Sequence, residues 1–147
     1  MIKMDDVINI WSLLDDIIAG YGKDIKNKLS KIGLTITDYK ILYMVKNSEK
    51  SMKCIADNLS LAKGWVTDII DNLEEKNLIV RIHNKDDRRV IKIKITDNGM
   101  KRYNEMRQFI KDTIEYSLKE LDPAEIKSFE NILNKLNNKM KSRIKEI

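Results

Sequence analysis

The stretch IVRIHNKDDRRVIKIKIT, residues 79–96, decides the architecture of this chain. Two β-type runs, Ile79–His83 and Val90–Ile95, flank a polar tip at 84–89, which predicts a β-hairpin in a sequence otherwise patterned as helix. Between Leu78 and Lys94 six basic side chains accompany two acidic ones, so this segment carries +4 of a net charge of +5. Charge concentrated on an element that can project from the surface suits contact with phosphates.

The segment that precedes the hairpin is patterned as two helices joined by a tight turn. Ser51 can cap a short first helix, and a turn follows at 60–61. The second helix is expected at about 62–76, with a buried stripe of Val66, Ile69, Ile70 and Leu73. Asn77 stands where this helix should end, because Asn tolerates the left-handed backbone of a helix stop. Two such helices followed by a hairpin predict a winged helix-turn-helix, whose second helix enters the DNA major groove.

The outward face of the second helix contains the candidate base contacts. A helical wheel places Gly64, Asp68 and Asp71 most directly outward. N-terminal residues of such helices reach base edges, which favours Lys63, Gly64, Trp65, Thr67 and Asp68. Phosphates would repel the two aspartates, but Asp68 can accept a hydrogen bond from cytosine N4. Ala62 occupies the cap position without being able to cap, and Gly64 weakens the first turn by up to about 1 kcal/mol.

Long amphipathic helices flank this central unit. Thr37 is predicted to cap the helix that carries Tyr39, and Thr96 the long helix after the hairpin. The last helix is predicted to begin with Asp122 as its cap, Pro123 at the first position and Glu125 at the third. The fold class is therefore mainly α with a small β-wing: a winged lobe at 33–99 and helices at 1–32 and 100–147 that form a homodimerisation domain. The predicted interface consists of Ile8, Trp11, Leu14, Ile126, Phe129, Leu133, Leu136 and Met140.

Composition narrows the class of protein further. Cys54 is the only cysteine, so no intramolecular disulfide can form, which fits a reducing cytoplasm. Acidic residues interrupt the apolar N-terminal segment, so neither a signal peptide nor a membrane span is expected. The sequence lacks a glycine-rich phosphate loop, a Ser/His/Asp set and clustered metal ligands, so we expect neither an enzyme nor a metal or cofactor. His83 with Cys54 cannot supply the four ligands of a zinc site.

These motifs together resemble the multiple antibiotic resistance regulator (MarR) family of winged-helix repressors. Asp87-Arg88-Arg89, followed after five residues by Ile95-Thr96-Asp97-Asn98-Gly99, resembles the family's Asp-x-Arg wing tip and Leu-Thr-x-x-Gly motif. GLTITDYKIL (33–42) and LSLAKGWVTDIIDNLEEKNLIVR (59–81) also match in spacing. Trp65 stands at a position that is usually small, so individual base contacts do not transfer.

The resemblance implies a dimeric repressor that binds an inverted-repeat operator in double-stranded DNA and is relieved by a small, often phenolic, ligand. It implies that Arg89 enters a minor groove and that Asp87 orients it. With the helical wheel and the charge pattern, it gives a predicted DNA-binding set of Ser51, Lys53, Lys63, Gly64, Trp65, Thr67, Asp68, Arg81, Lys85, Asp87, Arg88 and Arg89. A ligand crevice would be lined by Trp11, Tyr21, Tyr39 and Tyr43.

Less specific interpretations of the same residues stay open at this point. The helical spacing of the crevice aromatics equally fits a hydrophobic core. Trp65 fits the edge of the core as well as a base contact, and Cys54 fits an inert, half-buried thiol. A winged helix can also serve protein assembly or RNA binding, because a fold does not fix a function.

Overall fold

The computed structural model describes residues 1–146, with side chains described through residue 145. Six helices and three short strands follow one another along the described chain. They are α1 (Met4–Ser30), α2 (Ile36–Val45), β1 (Lys50–Ser51), α3 (Met52–Leu59), α4 (Lys63–Glu75), β2 (Ile79–His83), β3 (Ile91–Ile95), α5 (Asp97–Leu118) and α6 (Pro123–Glu146). The chain divides into two compact units, Met1–Lys111 and a second that begins at Asp112 within α5.

The start of α2 corrects one prediction. Thr35, not Thr37, is the N-cap: its hydroxyl accepts from the backbone N–H of Asp38 at 3.1 Å. The Asp38 carboxylate accepts from the backbone N–H of Thr35 at 2.8 Å, which completes a capping box. Thr35 and Thr37 both precede the apolar run, so position alone does not distinguish them. Only Thr35 has its partner carboxylate three residues further on, whereas Lys40 stands three residues after Thr37.

The helix-turn-helix forms as the sequence predicts. The Ser51 hydroxyl caps α3 by accepting from the N–H of Cys54 at 3.0 Å. Ser60 takes the left-handed conformation, φ 53°, and turns the chain into α4. Ala62 occupies the N-cap position of α4 without a side-chain hydrogen bond, as expected. Asn77, φ 59°, ends the helix in the left-handed region, again as expected.

The wing is part of a three-stranded antiparallel sheet with the order β1-β3-β2. β2 and β3 pair from Ile79 opposite Ile95 to His83 opposite Ile91, which confirms the predicted hairpin. β1 was not predicted, since a two-residue strand has no periodicity to detect. It pairs Lys50 with Ile93 and thereby holds the start of α3 against the base of the wing.

The core of the first unit joins the end of α1 to the winged lobe. It contains fully buried side chains from helices and strands alike, among them Leu29, Ile41, Leu42, Ile55, Ile70, Leu73, Ile79, Ile93 and Met106. Thr96 caps α5 as predicted, its hydroxyl accepting from the N–H of Gly99 at 2.9 Å. The Thr96 hydroxyl also donates to the carbonyl of Asn77 at 2.6 Å, so the end of α4 and the start of α5 are fixed together.

The flanking helices each present apolar surface to solvent. On α1, Ile8 is 54% and Trp11 66% exposed, whereas Leu14 is half-buried. On α6, the exposed apolar side chains are Phe129, Ile132, Leu133, Leu136, Met140 and Ile144, and Ile126 is half-buried. Asp122 caps α6 as predicted, in a capping box with Glu125. Among the described residues no helix is both long and apolar enough to cross a membrane.

Candidate nucleic-acid interface

The first turns of α4 present the predicted base-contacting face to solvent. Lys63, Gly64, Trp65, Thr67 and Asp68 are all exposed, whereas Val66, Ile70 and Leu73 are buried on the opposite side. The Thr67 hydroxyl donates to the Lys63 carbonyl at 2.9 Å, and its oxygen keeps the capacity to accept a hydrogen bond from a partner. The helical wheel therefore predicted correctly which side of α4 is free of the core.

The tip of the wing is organised by its own side chains. The Asn84 carboxamide oxygen accepts from the N–H of Asp86 at 2.9 Å, and Asn84 N–H donates to Val90 O at 3.1 Å. Asp87 Oδ1 accepts from both the backbone N–H and the side-chain Nε of Arg89, at 3.0 and 3.1 Å. The Arg89 side chain remains 92% exposed. Asp87 holds its Nε, so the two terminal nitrogens of the guanidinium are left to contact a partner.

A single cleft brings the helix-turn-helix and the wing together. It has a volume of about 480 Å³ and an apolar floor that includes Val66 and Ile91. Its rim is polar and cationic and is formed by predicted DNA-binding residues of α3, α4 and the wing, namely Ser51, Lys53, Lys63, Thr67 and Arg89. Residues 38 positions apart in sequence therefore border one surface, as a contact with an extended polyanion requires.

Arg81 makes contacts with two carboxylates that the sequence did not predict. Its guanidinium donates to Glu74 at 2.8 Å and also to Asp71, and its side chain is only 19% exposed. Burial lowers the pKa of Arg81, but the hydrogen bonds and charges of Asp71 and Glu74 outweigh burial and raise it above its ordinary value. Arg81 therefore braces β2 against α4, and it partly neutralises Asp71, which the helical wheel had placed toward DNA. The other basic wing residues of the predicted DNA-binding set, Lys85 and Arg88, are exposed.

Of the four aromatic residues predicted to line a ligand crevice, only Tyr39 and Tyr43 lie side by side. Tyr39 stacks on Tyr103, with ring centroids 5.6 Å apart, and lies 6.3 Å from the ring of Tyr43. Lys46 Nζ donates to the Tyr103 hydroxyl at 3.3 Å and lies 4.3 Å from the centre of the Tyr43 ring. Tyr21 packs against the core of the first unit, whereas Trp11 is exposed on α1.

Sequence reasoning missed the cationic part of this aromatic cluster. Besides Lys46, the guanidinium carbon of Arg107 lies 5.7 Å from the centre of the Tyr103 ring. Burial, with the neighbouring Tyr103 phenol, raises the pKa of Tyr39 above its ordinary value. The available signal was the position of Tyr103 and Arg107 one turn apart on a predicted helix, but their proximity to α2 depends on tertiary packing.

The single cysteine and histidine gain no further role. Cys54 is half-buried, and its Sγ and carbonyl oxygen lie within hydrogen-bonding distance of the Asn58 amide nitrogen, at 3.4 and 2.8 Å. His83 is exposed at the end of β2. Within the part of the chain that the structure describes, no three His, Cys, Asp or Glu side chains converge on a place that could hold a metal ion.

These elements define a winged helix-turn-helix protein with long flanking helices. Residues 34–91 match the model of the MarR family. The regulator SarZ of Staphylococcus epidermidis is 32% identical over 72 residues, which is 48% of this chain and 49% of SarZ. The chain thus spans about half the length of the curated relatives it matches. The family match over residues 34–91 confirms the resemblance inferred from the motifs.

Solved structures extend the likeness in fold to nearly the whole chain. The transcriptional regulator BldR from Sulfolobus solfataricus is 25% identical, with a TM-score of 0.77 over 97% of this chain and 99% of BldR. A mutant of MarR from E. coli, complexed with operator DNA, is 21% identical, with a TM-score of 0.72 over 92% of this chain and 99% of that one. Both the matched family and the fold are those of transcriptional regulators rather than of enzymes.

Proposed function

We propose that this chain is a dimeric, sequence-specific regulator of transcription that binds double-stranded DNA. The observation that carries the proposal is the shared cleft, where Lys53, Lys63 and Arg89 meet from three elements beside the exposed face of α4. Cations so arranged can contact several phosphates at once while a helix lies in the major groove. The E. coli protein of the same fold has been solved with operator DNA, which supports this use of the fold.

The two basic elements would make different contacts. Lys53 on α3 and Lys63 at the start of α4 both line the cleft and suit contacts with DNA phosphates. Such contacts position the protein without selecting a sequence. Arg89 projects from the wing tip and suits a narrow minor groove, where the negative potential is strongest. Asp68, exposed on α4, suits cytosine N4. Among the described residues it makes no ion pair, unlike Asp71, so its charge is available for selecting a base.

Dimerisation would follow from the apolar faces of the flanking helices. Single exposed apolar residues are ordinary, but α1 and α6 each carry a row of them at helical spacing. We infer that these rows are covered by a second copy of the chain, related by a two-fold axis. Two winged lobes would then contact half-sites about 34–36 Å apart, which makes the operator an inverted repeat.

A small aromatic acid is the effector that the aromatic cluster suits best. The exposed Tyr43 ring lies beside half-buried Tyr39 and offers an aromatic face, and Lys46 and Arg107 offer positive charge for a carboxylate. A ligand there would alter the spacing of the two lobes and weaken both half-site contacts together, so the regulator would be a repressor relieved by its ligand. We expect it to act in the cytoplasm, where its DNA lies.

Selection of bound duplexes from a random pool tests the proposal most directly. The expected result is an inverted repeat with two half-sites about one helical turn apart. On that duplex, Arg89→Ala should weaken binding and lower the slope of log K against log salt by about one for each copy of the wing. Lys23→Ala is a matched control, since it removes an exposed cation of α1 outside the predicted surface.

Two results would contradict the proposal. One is a pool that yields no enriched duplex at low ionic strength, which would favour the alternative of a winged module for protein assembly or RNA binding. The other is an unchanged salt slope in Arg89→Ala, which would remove the wing from the interface. A preference for single-stranded or structured RNA in the same competition would identify the RNA-binding alternative directly.

A further inference from the structure

Trp65 is the least explained side chain on the face that is proposed to contact DNA. It stands in the first turn of α4 and is 67% exposed, although neighbouring Val66 is fully buried. An indole left in water loses the benefit of burying a large apolar surface. The core-edge interpretation of Trp65 is therefore not supported by its exposure. A contact with an apolar surface outside the chain would account for it.

The local backbone allows a partner to come close to this indole. An added Cβ at Gly64 would meet no atom within 4 Å, so the surface beside Trp65 is open. Asp68 lies three residues further on, which places its carboxylate on the same side of the helix, one turn away. A negative charge next to the indole repels phosphates, so this part of α4 should face base edges rather than the sugar-phosphate backbone.

Base edges offer a single apolar group in the major groove, the C5 methyl of thymine. We propose that Trp65 is a specificity-determining residue that packs its indole against a thymine methyl in each half-site, next to the base selected by Asp68. This inference rests on the proposed function, because it assumes that α4 enters the major groove. It adds a specific requirement, since the methyl itself should contribute to affinity at one defined position.

Replacement of thymine by uracil in the selected duplex isolates that methyl. Deoxyuridine keeps the base pair and removes only the C5 methyl, so each thymine can be replaced in turn with unchanged hydrogen bonding. From the burial of one methyl group we expect about fourfold weaker binding per half-site, and about fifteenfold when both half-sites are changed. The other thymines of the same duplex serve as internal controls and should show no effect.

The variant Trp65→Ala assigns the effect to this residue. It should bind the selected duplex more weakly and should no longer distinguish thymine from uracil at the sensitive position. Trp65→Phe, which keeps a smaller aromatic surface, should retain part of the discrimination. Because Trp65 is exposed, both variants should show the melting temperature of the parent protein.

The outcomes separate this inference from the proposed function. If the parent protein selects an inverted repeat but tolerates uracil at every thymine, the role of Trp65 is overturned and DNA binding stands. If Trp65→Ala remains sensitive at the same position as the parent, another residue contacts the methyl and the assignment is overturned. If no duplex is selected at all, the proposed function is overturned, and this inference is overturned too because it depends on DNA binding.

Discussion

Asp87 holds Arg89 by two hydrogen bonds to one carboxylate oxygen, from the backbone N–H at 3.0 Å and from Nε at 3.1 Å. Both residues lie on an exposed tip, where an ion pair contributes little to stability. The pair therefore serves orientation better than stability. The pair restricts the Arg89 side chain before any partner binds, which lowers the conformational entropy that is lost on binding.

Substitution of Asp87 should separate orientation from charge. Asp87→Ala leaves the Arg89 cation in place, so the salt slope of operator binding should stay close to that of the parent protein. Affinity should nevertheless fall by about threefold to tenfold, because roughly 0.5–1.5 kcal/mol is needed to immobilise a long side chain. Fluorescence anisotropy titrations at several salt concentrations would measure both quantities. Because Asp87→Ala also removes a carboxylate that repels phosphates, the comparison is made at high salt, where that repulsion is screened. Equal or higher affinity of Asp87→Ala there would show that the pair has no positioning role.

Arg81 illustrates how a basic wing residue can contribute to the stability of the fold. Arg81→Met keeps the length of the side chain but removes the hydrogen bonds to Asp71 and Glu74. We expect a loss of about 1–2 kcal/mol in the free energy of unfolding, because the bonds are charged but the two carboxylates are partly exposed. Urea denaturation followed by circular dichroism would measure it. Arg88→Met is the matched control on the exposed wing and should leave stability unchanged. Equal stabilities of the two variants would mean that Arg81 is not a brace.

The packing around Gly99 explains why the motif Ile95-Thr96-Asp97-Asn98-Gly99 ends in glycine. A Cβ at this position would overlap the carbonyl oxygen of Leu78 and would lie 2.7 Å from Ile95 Cγ1. Since Leu78 O also accepts from Thr96 N–H at 3.1 Å, the wing and α5 meet here backbone to backbone. Only a residue without a side chain permits this approach.

Gly99→Ala should therefore be strongly destabilising, by about 2–4 kcal/mol, because the overlapping atoms belong to the backbone and cannot rotate away. Denaturant titration is again the measurement. Gly20→Ala is the control, since a Cβ there meets nothing within 4 Å and the substitution should be neutral or stabilising by about 0.5–1 kcal/mol. A Gly99→Ala protein as stable as its parent would show that the contact between wing and α5 is not tight.

Much of this fold could be predicted from local sequence, because the elements that specify it are local. The hairpin, the caps at Ser51, Thr96 and Asp122, and the left-handed stop at Asn77 each depend on residues within a few positions of one another. The outward face of α4 also followed from periodicity alone. The error at α2 arose where two threonines competed for one cap, and only the position of Asp38 distinguishes them.

Less of the candidate site could be predicted from the sequence, because the charge of a residue does not show which side chains it pairs with in the fold. Arg81 looked equivalent to Arg88 and Arg89, and only tertiary structure shows that Asp71 and Glu74 engage it. The aromatic cluster was found in part, because Tyr103 and Arg107 approach Tyr39 only when α5 folds back on α2. Contacts between residues far apart in sequence have no local periodicity from which they could be inferred.

The proposed dimer interface can be tested at Leu136, which is 50% exposed on the apolar face of α6. Leu136→Asp places a charge where a second copy should pack, and the two symmetric copies together would lose at least about 3 kcal/mol of apolar burial. The dissociation constant should rise by at least about a hundredfold, which sedimentation velocity at micromolar concentration would detect as monomers. Asn138→Asp adds the same charge about 200° around the helix and should remain dimeric. A Leu136→Asp protein that sediments as a dimer would place the interface on other residues.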